Sequence, residues 1–365
     1  MTEMLRQLVN IESPTNDKTG VDRVGAYIAN ELHSLGAAVQ VFQQTYTGNH
    51  ILGVWNKGAS NPILLILHMD TVHPLGSLEA RPIHIIDGVF YGPGCCDMKA
   101  SHVIALRAIK AIRDHCGGLK REVRILFTSD EETGSLTSRD LIESIARDTI
   151  LTMVMEPALP DGRLKSSRKG VGDFRITAHG KASHAGGAHH EGVNAIEELA
   201  HQVLFVQGLT DYSRGITLSV GDFHGGGVVN VVPDCATCQV DARVQHVDDA
   251  DWITNCIYDL KPVLAGASLA VKGSFNRLPM ECTPQRLETI EKIRTIGKTV
   301  GVSVDHGASG GGSDASFTAS LNVPTMDGFG AVGDGLHAID EHVMLDSLPE
   351  RTALTAAIVL YYRAD

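Results

Sequence analysis

Apolar and polar positions along the chain follow two periods, and the order in which these alternate predicts its elements. Met4, Leu5, Leu8 and Val9 recur at helical spacing until Ser13-Pro14-Thr15-Asn16-Asp17 interrupts them. Val21, Val24, Tyr27, Ile28, Leu32 and Leu35 form a longer helical stripe that Gly36 ends. Val39–Phe42 and Ile51–Trp55 read as strands. Ile63-Leu64-Leu65-Ile66-Leu67 is apolar throughout, as in a strand buried on both faces of a parallel sheet, and it closes on His68-Met69-Asp70. Pro82–Ile86 and Val89–Tyr91, joined by Asp87-Gly88, spell a hairpin with a two-residue turn. A Gly/Pro turn carrying Asp97 then enters a helix from about Lys99 to His115. Two more buried strands, Val123–Thr128 and Ile150–Met155, run into Asp130-Glu131-Glu132 and Glu156-Pro157.

The pattern changes near Gly170. Strand Val171–His179, helix Val193–Gln207, strand Ile216–Phe223, strand Cys235–Gln245, helix Asp249–Leu264 and strand Ser268–Phe275 follow the β-α-β-β-α-β order of a ferredoxin-like unit. The last segment returns to α/β with a helix Pro284–Val300, the run Gly307–Asp314, a strand Val323–Met326, the stretch Gly333–Glu341 and a closing helix. The predicted fold class is therefore α/β. A larger domain with a central, mostly parallel sheet is built from residues 1–168 and 277–365, and a ferredoxin-like domain is inserted at 169–276.

Composition narrows the function classes. At 365 residues the chain has room for two domains. Its 31 basic against 43 acidic residues, a net charge of -12, argue against a nucleic-acid or anionic-membrane partner. No apolar run has the length to span a bilayer, and the N-terminus has no signal-peptide profile. Seven cysteines without framework spacing suit a reducing compartment, so a cytoplasmic location is expected.

Chemistry concentrates at strand ends. Side chains alternate along a strand, so His68 and Asp70 point to the same side at the carboxyl end, where open α/β sheets bind ligands. His-x-Asp alone also suits a strand-end histidine that meets water. Repetition changes that reading, because two further buried strands end near Glu132 and Glu156, with Asp97 in a turn and His337 late in the chain. Two imidazoles and three carboxylates suit zinc, with cobalt or manganese as alternatives. Five ligands are too many for one tetrahedral ion but serve two if Asp97 bridges. Each ion then has a histidine, a terminal carboxylate and the shared aspartate, with the open position given to a shared water, and such a pair activates water and polarises a carbonyl. Glu131 cannot easily reach the same ion as Glu132, which frees it as general base. Cys95-Cys96 and the Cys235/Cys238 pair read as small apolar filler. Gly310-Gly311-Gly312 lacks the Gly-Lys-Ser/Thr of a P-loop, and Gly311 is read as letting backbone amides approach a substrate.

His68-Met69-Asp70-Thr71-Val72, Gly92-Pro93-Gly94 with Asp97-Met98-Lys99, Asp130-Glu131-Glu132-Thr133-Gly134-Ser135, Glu156-Pro157 and Gly335-Leu336-His337 stand in a familiar order. The chain resembles the co-catalytic dizinc metallopeptidases that include glutamate carboxypeptidase, acetylornithine deacetylase, succinyl-diaminopimelate desuccinylase and the aminoacylases. The likeness is closest to the glutamate carboxypeptidase branch, through Ser135–Leu141 and Gly180–Gly186 as well. The resemblance implies a zinc-peptidase-like catalytic domain with a lid and dimerisation domain, and two zinc ions per subunit. One ion goes to His68, Asp97 and Glu156, the other to Asp97, Glu132 and His337, with Glu131 as base and Asp70 as partner of His68. It implies a homodimer in which His184 reaches the partner subunit's site and polarises the scissile carbonyl. Asn230 and Arg243 match positions that hold the substrate carboxylate, although a strand arginine is also commonly a surface charge. Cys95-Cys96 and Ala100-Ser101 depart from the family's usual small residues and glycines, which bears on pocket shape.

The expected activity is hydrolysis of an amide bond next to an amino acid with a free α-carboxylate, as in a carboxypeptidase acting on small peptides or N-acyl amino acids. The alternative is an N-acyl-amino-acid deacylase of the acetylornithine deacetylase or aminoacylase type. A metal-bound but inactive dimer serving as a binding module is a third reading. Glu131 stands against it, since a silent scaffold needs no base beside its metals.

Overall fold

The computed structural model describes residues 1–364. The chain divides into two compact units: residues 1–167, 282–309 and 313 onward form the first, and 168–281 with 310–312 the second.

Among the described residues, the first unit carries an eight-stranded sheet. From edge to edge its order is Ala38–Phe42, His50–Trp55, Val123–Thr128, Ile63–His68, Leu151–Val154, Thr325–Asp327, Leu164–Arg168 and His306–Ser309. The central four strands are parallel, and the strands flanking them run antiparallel. Ile63–Leu67 are no more than 1% exposed, with helices Ala100–His115 and Arg139–Ala146 packed against this strand. Burying each such side chain contributes about 1.5–3 kcal/mol. Parallel register aligns the strand ends, with His68 opposite Thr128 and Ile66 opposite Val154. The segments leaving Ile63–His68, Val123–Thr128 and Leu151–Val154 therefore emerge at one edge.

A smaller antiparallel sheet joins distant parts of this unit. Asp87 (φ 49°) and Gly88 (φ 80°) turn the hairpin of His84–Ile86 and Val89–Tyr91, as a two-residue turn with both φ positive requires. Val89–Tyr91 also pairs with His342–Met344, which pairs with Gly333–Asp334. The turn carrying His337 is thereby set beside the turn that follows Tyr91 and carries Asp97.

The second unit is a four-stranded antiparallel sheet ordered Thr217–Gly225, Cys235–Val244, Gly170–His179 and Ser268–Arg277. Helices Ala195–Gln207 and Val247–Tyr258 pack on one face. With one face covered, burial alternates: Phe174, Ile176 and Ala178 are buried, whereas Asp173 and Arg175 are exposed. Chain order and strand order together are the ferredoxin-like arrangement. Beside it, Ser183–His184 pairs with Val231–Val232 in a short ribbon.

The structure departs from the sequence pattern in several places, the inserted unit among them, which spans 168–281 with 310–312 rather than 169–276. The helix expected over Asp249–Leu264 runs Val247–Tyr258. Pro262 cannot extend it, and the Glu198 carboxylate captures the amides of Val263 (2.9 Å) and Leu264 (2.7 Å), turning the chain away. The strand expected from Val323 starts at Thr325, after Pro324, which has no N–H to give a ladder. Leu164–Arg168 and His306–Ser309, with little apolar alternation to reveal them, are strands at one edge of the large sheet. Gly310–Gly312 goes with the second unit because Arg168 donates to the carbonyls of Gly311 (3.3 Å) and Gly312 (3.2 Å).

Candidate metal centre

The aligned strand ends and the two turns bring His68, Asp97, Glu132, Glu156 and His337 together. His68 is buried, and its Nδ1 donates to the carbonyl of Asp70 at 2.9 Å. In the neutral ring this leaves a lone pair on Nε2. That nitrogen lies 3.0 Å from Asp97 Oδ1 and 3.5 Å from Glu156 Oε1. Asp97 directs its other oxygen elsewhere: Oδ2 is 3.4 Å from His337 Nε2, which is 3.3 Å from Glu132 Oε2. Glu132 Oε1 is buried without a hydrogen-bond partner among the described residues.

A lone pair facing carboxylate oxygens repels them unless a cation lies between. A proton or a metal ion can fill that role, and the spacing suits metals. Two ligand atoms each about 2.0–2.1 Å from a tetrahedral zinc are about 3.3 Å apart. The observed 3.0, 3.5, 3.4 and 3.3 Å scatter around that edge length. The residues present thus fit two ions, one on each oxygen of Asp97.

Electrostatics give the same picture. Burial and the charge of Asp97 push the Glu132 carboxyl up to about 7. Hydrogen bonds to Asp97 and Glu132 raise His337 to about 10. Burial disfavours a charged His68, but Asp70, Asp97 and Glu156 overcome it and hold the imidazole well above its usual range. Burial likewise opposes ionisation of Asp97, yet His337 and His68 keep it far below the ordinary carboxylate range. The cluster retains positive charge tightly, and binding of divalent ions by these residues would displace those protons.

The supporting residues differ in part from expectation. The closest partner of His68 Nδ1 is the Asp70 carbonyl, while the Asp70 carboxylate stands 3.6 Å away. That carboxylate is occupied elsewhere: it accepts from Thr15 Oγ1 (2.7 Å) and from the amides of Glu131 (3.3 Å) and Glu132 (3.2 Å). Asp70 therefore anchors the turn bearing the adjacent glutamates. Asp130 steadies the same turn by accepting from Thr137 Oγ1 and its amide. Thr15 and His102 escaped the sequence reading, since an isolated threonine and a helix histidine carry no pattern. His102 Nε2 donates to the His68 carbonyl at 2.7 Å, and burial lowers its imidazole to about 3, keeping it neutral. Cys95 and Cys96 are buried, and burial pushes their thiols up, as suits filler.

His184, Asn230, Arg243 and Gly311 all belong to the second unit. The short ribbon brings His184 and Asn230 together, with the Ala185 amide donating to the Asn230 carbonyl at 3.0 Å. His184 Nδ1 accepts from the amides of Gly186 (3.1 Å) and Gly187 (2.9 Å), which places the ring hydrogen of neutral His184 on Nε2. Arg243 is held by Asp241, two residues back on the same strand face, through Nε (2.9 Å) and Nη2 (2.8 Å).

Residues 64–361 match the family described as peptidase family M20/M25/M40. Carboxypeptidase G2 of Pseudomonas sp. (strain RS-16) is 29% identical over 367 residues, covering 98% of this chain and 88% of that protein. A succinyl-diaminopimelate desuccinylase of Variovorax paradoxus is 22% identical over 368 residues, covering 93% and 92%. Among solved structures, the Bacillus subtilis YXEP protein, described as a dinuclear metal-binding peptidase of family M20, superposes with a TM-score of 0.73. Its identity is 15%, over 98% of this chain and 96% of that one, a likeness of fold.

Proposed function

This chain belongs to peptidase family M20/M25/M40, and within that family of metallopeptidases and amidohydrolases we propose that it is a two-metal carboxypeptidase. It releases a C-terminal amino acid with a free α-carboxylate, acidic side chains preferred. The observation that carries the reading is the division of Asp97, whose two oxygens face two different histidines at 3.0 and 3.4 Å. Two ions held by His68, Asp97 and Glu156 and by Asp97, Glu132 and His337 would supply a water acidic enough to attack at neutral pH and a polarised carbonyl. Zinc is the ion that this donor set favours.

The chain's own residues supply the rest. Glu131, carried on the turn that Asp70 anchors, takes the water's proton and passes it to the leaving amine. His184, with its hydrogen on Nε2, donates to the oxygen that gains charge. In this reading it serves the site of a second copy, so the working form is a homodimer. Arg243 and Asn230 receive the substrate α-carboxylate, Arg243 exchanging its bond to Asp241 for the ligand, and Gly311 leaves room beside the chain. Similarity to carboxypeptidase G2 supports the carboxypeptidase reading. Similarity to the desuccinylases supports a second reading, an N-acyl-amino-acid deacylase.

Amine release from a substrate panel separates these. Metal-stripped full-length protein, reloaded with zinc, cobalt or manganese, is given an N-aroyl-glutamate, dipeptides ending in glutamate, N-acetyl and N-succinyl amino acids, and the matching α-amides. The expected result is metal-dependent release, fastest for free-acid glutamate. Fastest turnover of N-succinyl substrates would favour the deacylase. Equal turnover of acids and α-amides would overturn both readings, and full activity without metal would overturn the centre itself.

A further inference from the structure

Glu341 is 2% exposed, lies four residues after His337 and plays no part in the site described above. Its carboxylate is nonetheless among the most heavily used acceptors in the first unit. Oε1 accepts from the amides of Cys96 (2.8 Å) and Asp97 (2.9 Å). Oε2 accepts from the amide of Gly94 (2.6 Å) and from His73 Nε2 (2.6 Å). Its backbone carbonyl receives the amide of Gly92 at 3.3 Å. Residues 92–97 are therefore wrapped around a single glutamate. Gly94, with φ 70°, gives the turn the left-handed residue that lets its amides converge.

The network continues past the carboxylate. His73 Nδ1 lies 3.1 Å from Arg81 Nη2, and arginine can only donate, so Nδ1 accepts and Nε2 carries the hydrogen toward Glu341. Arg81 Nη1 in turn donates to the carbonyl of Ala338, next to His337, at 3.0 Å. One connected set of bonds thus runs from the amide of Asp97 to the turn of His337. These are the two residues whose approach defines the second ion's place.

We propose that Glu341 is a positioning residue that sets the Asp97 turn against the His337 turn, so that the bridging carboxylate meets both histidines. This rests on the two-metal reading above. The physical reason is valence. An ionised carboxylate offers enough lone pairs for three amides and an imidazole N–H, whereas a glutamine side chain turns one of its two positions into a donor aimed at amides that also donate. Such supporting partners commonly govern metal affinity 10–100-fold.

The test compares wild type with Glu341→Gln and His73→Gln as full-length proteins, stripped of metal and titrated with cobalt against a chromophoric chelator. The visible spectrum of the bound cobalt and the metal-free melting temperature are recorded alongside. Wild type takes up two ions. Glu341→Gln is expected to weaken uptake by about 10–100-fold and to change the cobalt spectrum at temperatures well below its melting point. His73→Gln, which leaves the three amide bonds in place, should show a smaller shift in the same direction. A Glu341→Gln protein that melts earlier but binds cobalt with wild-type affinity and spectrum would reduce Glu341 to a structural role and overturn the proposal. If Glu341→Gln does not fold, an unchanged His73→Gln spectrum and affinity overturn it instead. Uptake of fewer than two ions by wild type would sink the two-metal reading itself, an outcome distinct from either of these.

Discussion

The two units hold their chemically active side chains in opposite ways. In the first, His68, Asp97 and Glu156 are buried, His337 being the exposed exception, and their partners come from across the sequence: Asp97 meets His337, and Asp70 ties Thr15 to the Glu131–Glu132 turn. In the second, His184 and Asn230 are exposed and Arg243 half-buried, and the hydrogen-bond partners of the His184 and Arg243 side chains lie within three residues: Gly186 and Gly187 for His184, Asp241 for Arg243. The sheets explain the contrast. A strand buried on both faces can present polar groups only where it ends, so its chemistry is concentrated at one edge and fixed by long-range contacts. An antiparallel sheet covered on one face leaves alternate side chains in water, free to exchange a local partner for a ligand. In the function proposed above, the first unit would supply a preorganised centre and the second adaptable recognition.

The sharpest way to break this comparison is to remove the preorganised part. Asp97→Ala should abolish binding of both ions and all measurable hydrolysis, because the residue shared by the two histidines is lost. Within the same turn, Glu131→Gln should keep both ions and lose about 10²–10⁴-fold in kcat, whereas Glu132→Gln should lose metal. Metal analysis beside kcat decides this, and a reversal of the two glutamates would void their assignment.

A smaller effect is expected in the second unit. His184→Ala should lose about 10²–10³-fold in kcat with metal content unchanged. If His184 acts on the site of a second copy, His184→Ala and Glu131→Gln subunits refolded together should recover part of the wild-type rate. Verified exchange without recovery would confine His184 to its own chain.

The smallest effect is expected at Arg243. Its replacement by Ala should raise KM for free-acid substrates by about tenfold while leaving the poor α-amides little changed, since only the acid can use the guanidinium. A kcat loss at constant KM would mean that Arg243 is not a carboxylate anchor.

Local pattern carried a great deal of this molecule. The uninterrupted Ile63–Leu67 run announced a doubly buried strand, Asp87-Gly88 announced its turn, and the β-α-β-β-α-β order announced the inserted ferredoxin-like sheet. These features are legible because burial and turn geometry act over a few residues, and each leaves its period in the sequence. The candidate ligands were legible for the same reason, as acids and histidines standing where apolar strands stop.

Pairing across the chain was decided only in three dimensions. That Asp70 spends its carboxylate on Thr15 and the Glu131–Glu132 turn, leaving its carbonyl to His68, depends on two segments about 60 residues apart meeting. That Glu341 gathers the amides of Gly94, Cys96 and Asp97 depends on the small sheet setting His342–Met344 beside Val89–Tyr91. The turn after Pro262, beyond the helix that stops at Tyr258, is held because Glu198, far back in the chain, takes the amides of Val263 and Leu264. Sequence determines which residues are polar and where strands end. Which donor satisfies which acceptor is settled by the fold, because a hydrogen bond needs partners within about 3 Å and chain distance carries no record of that.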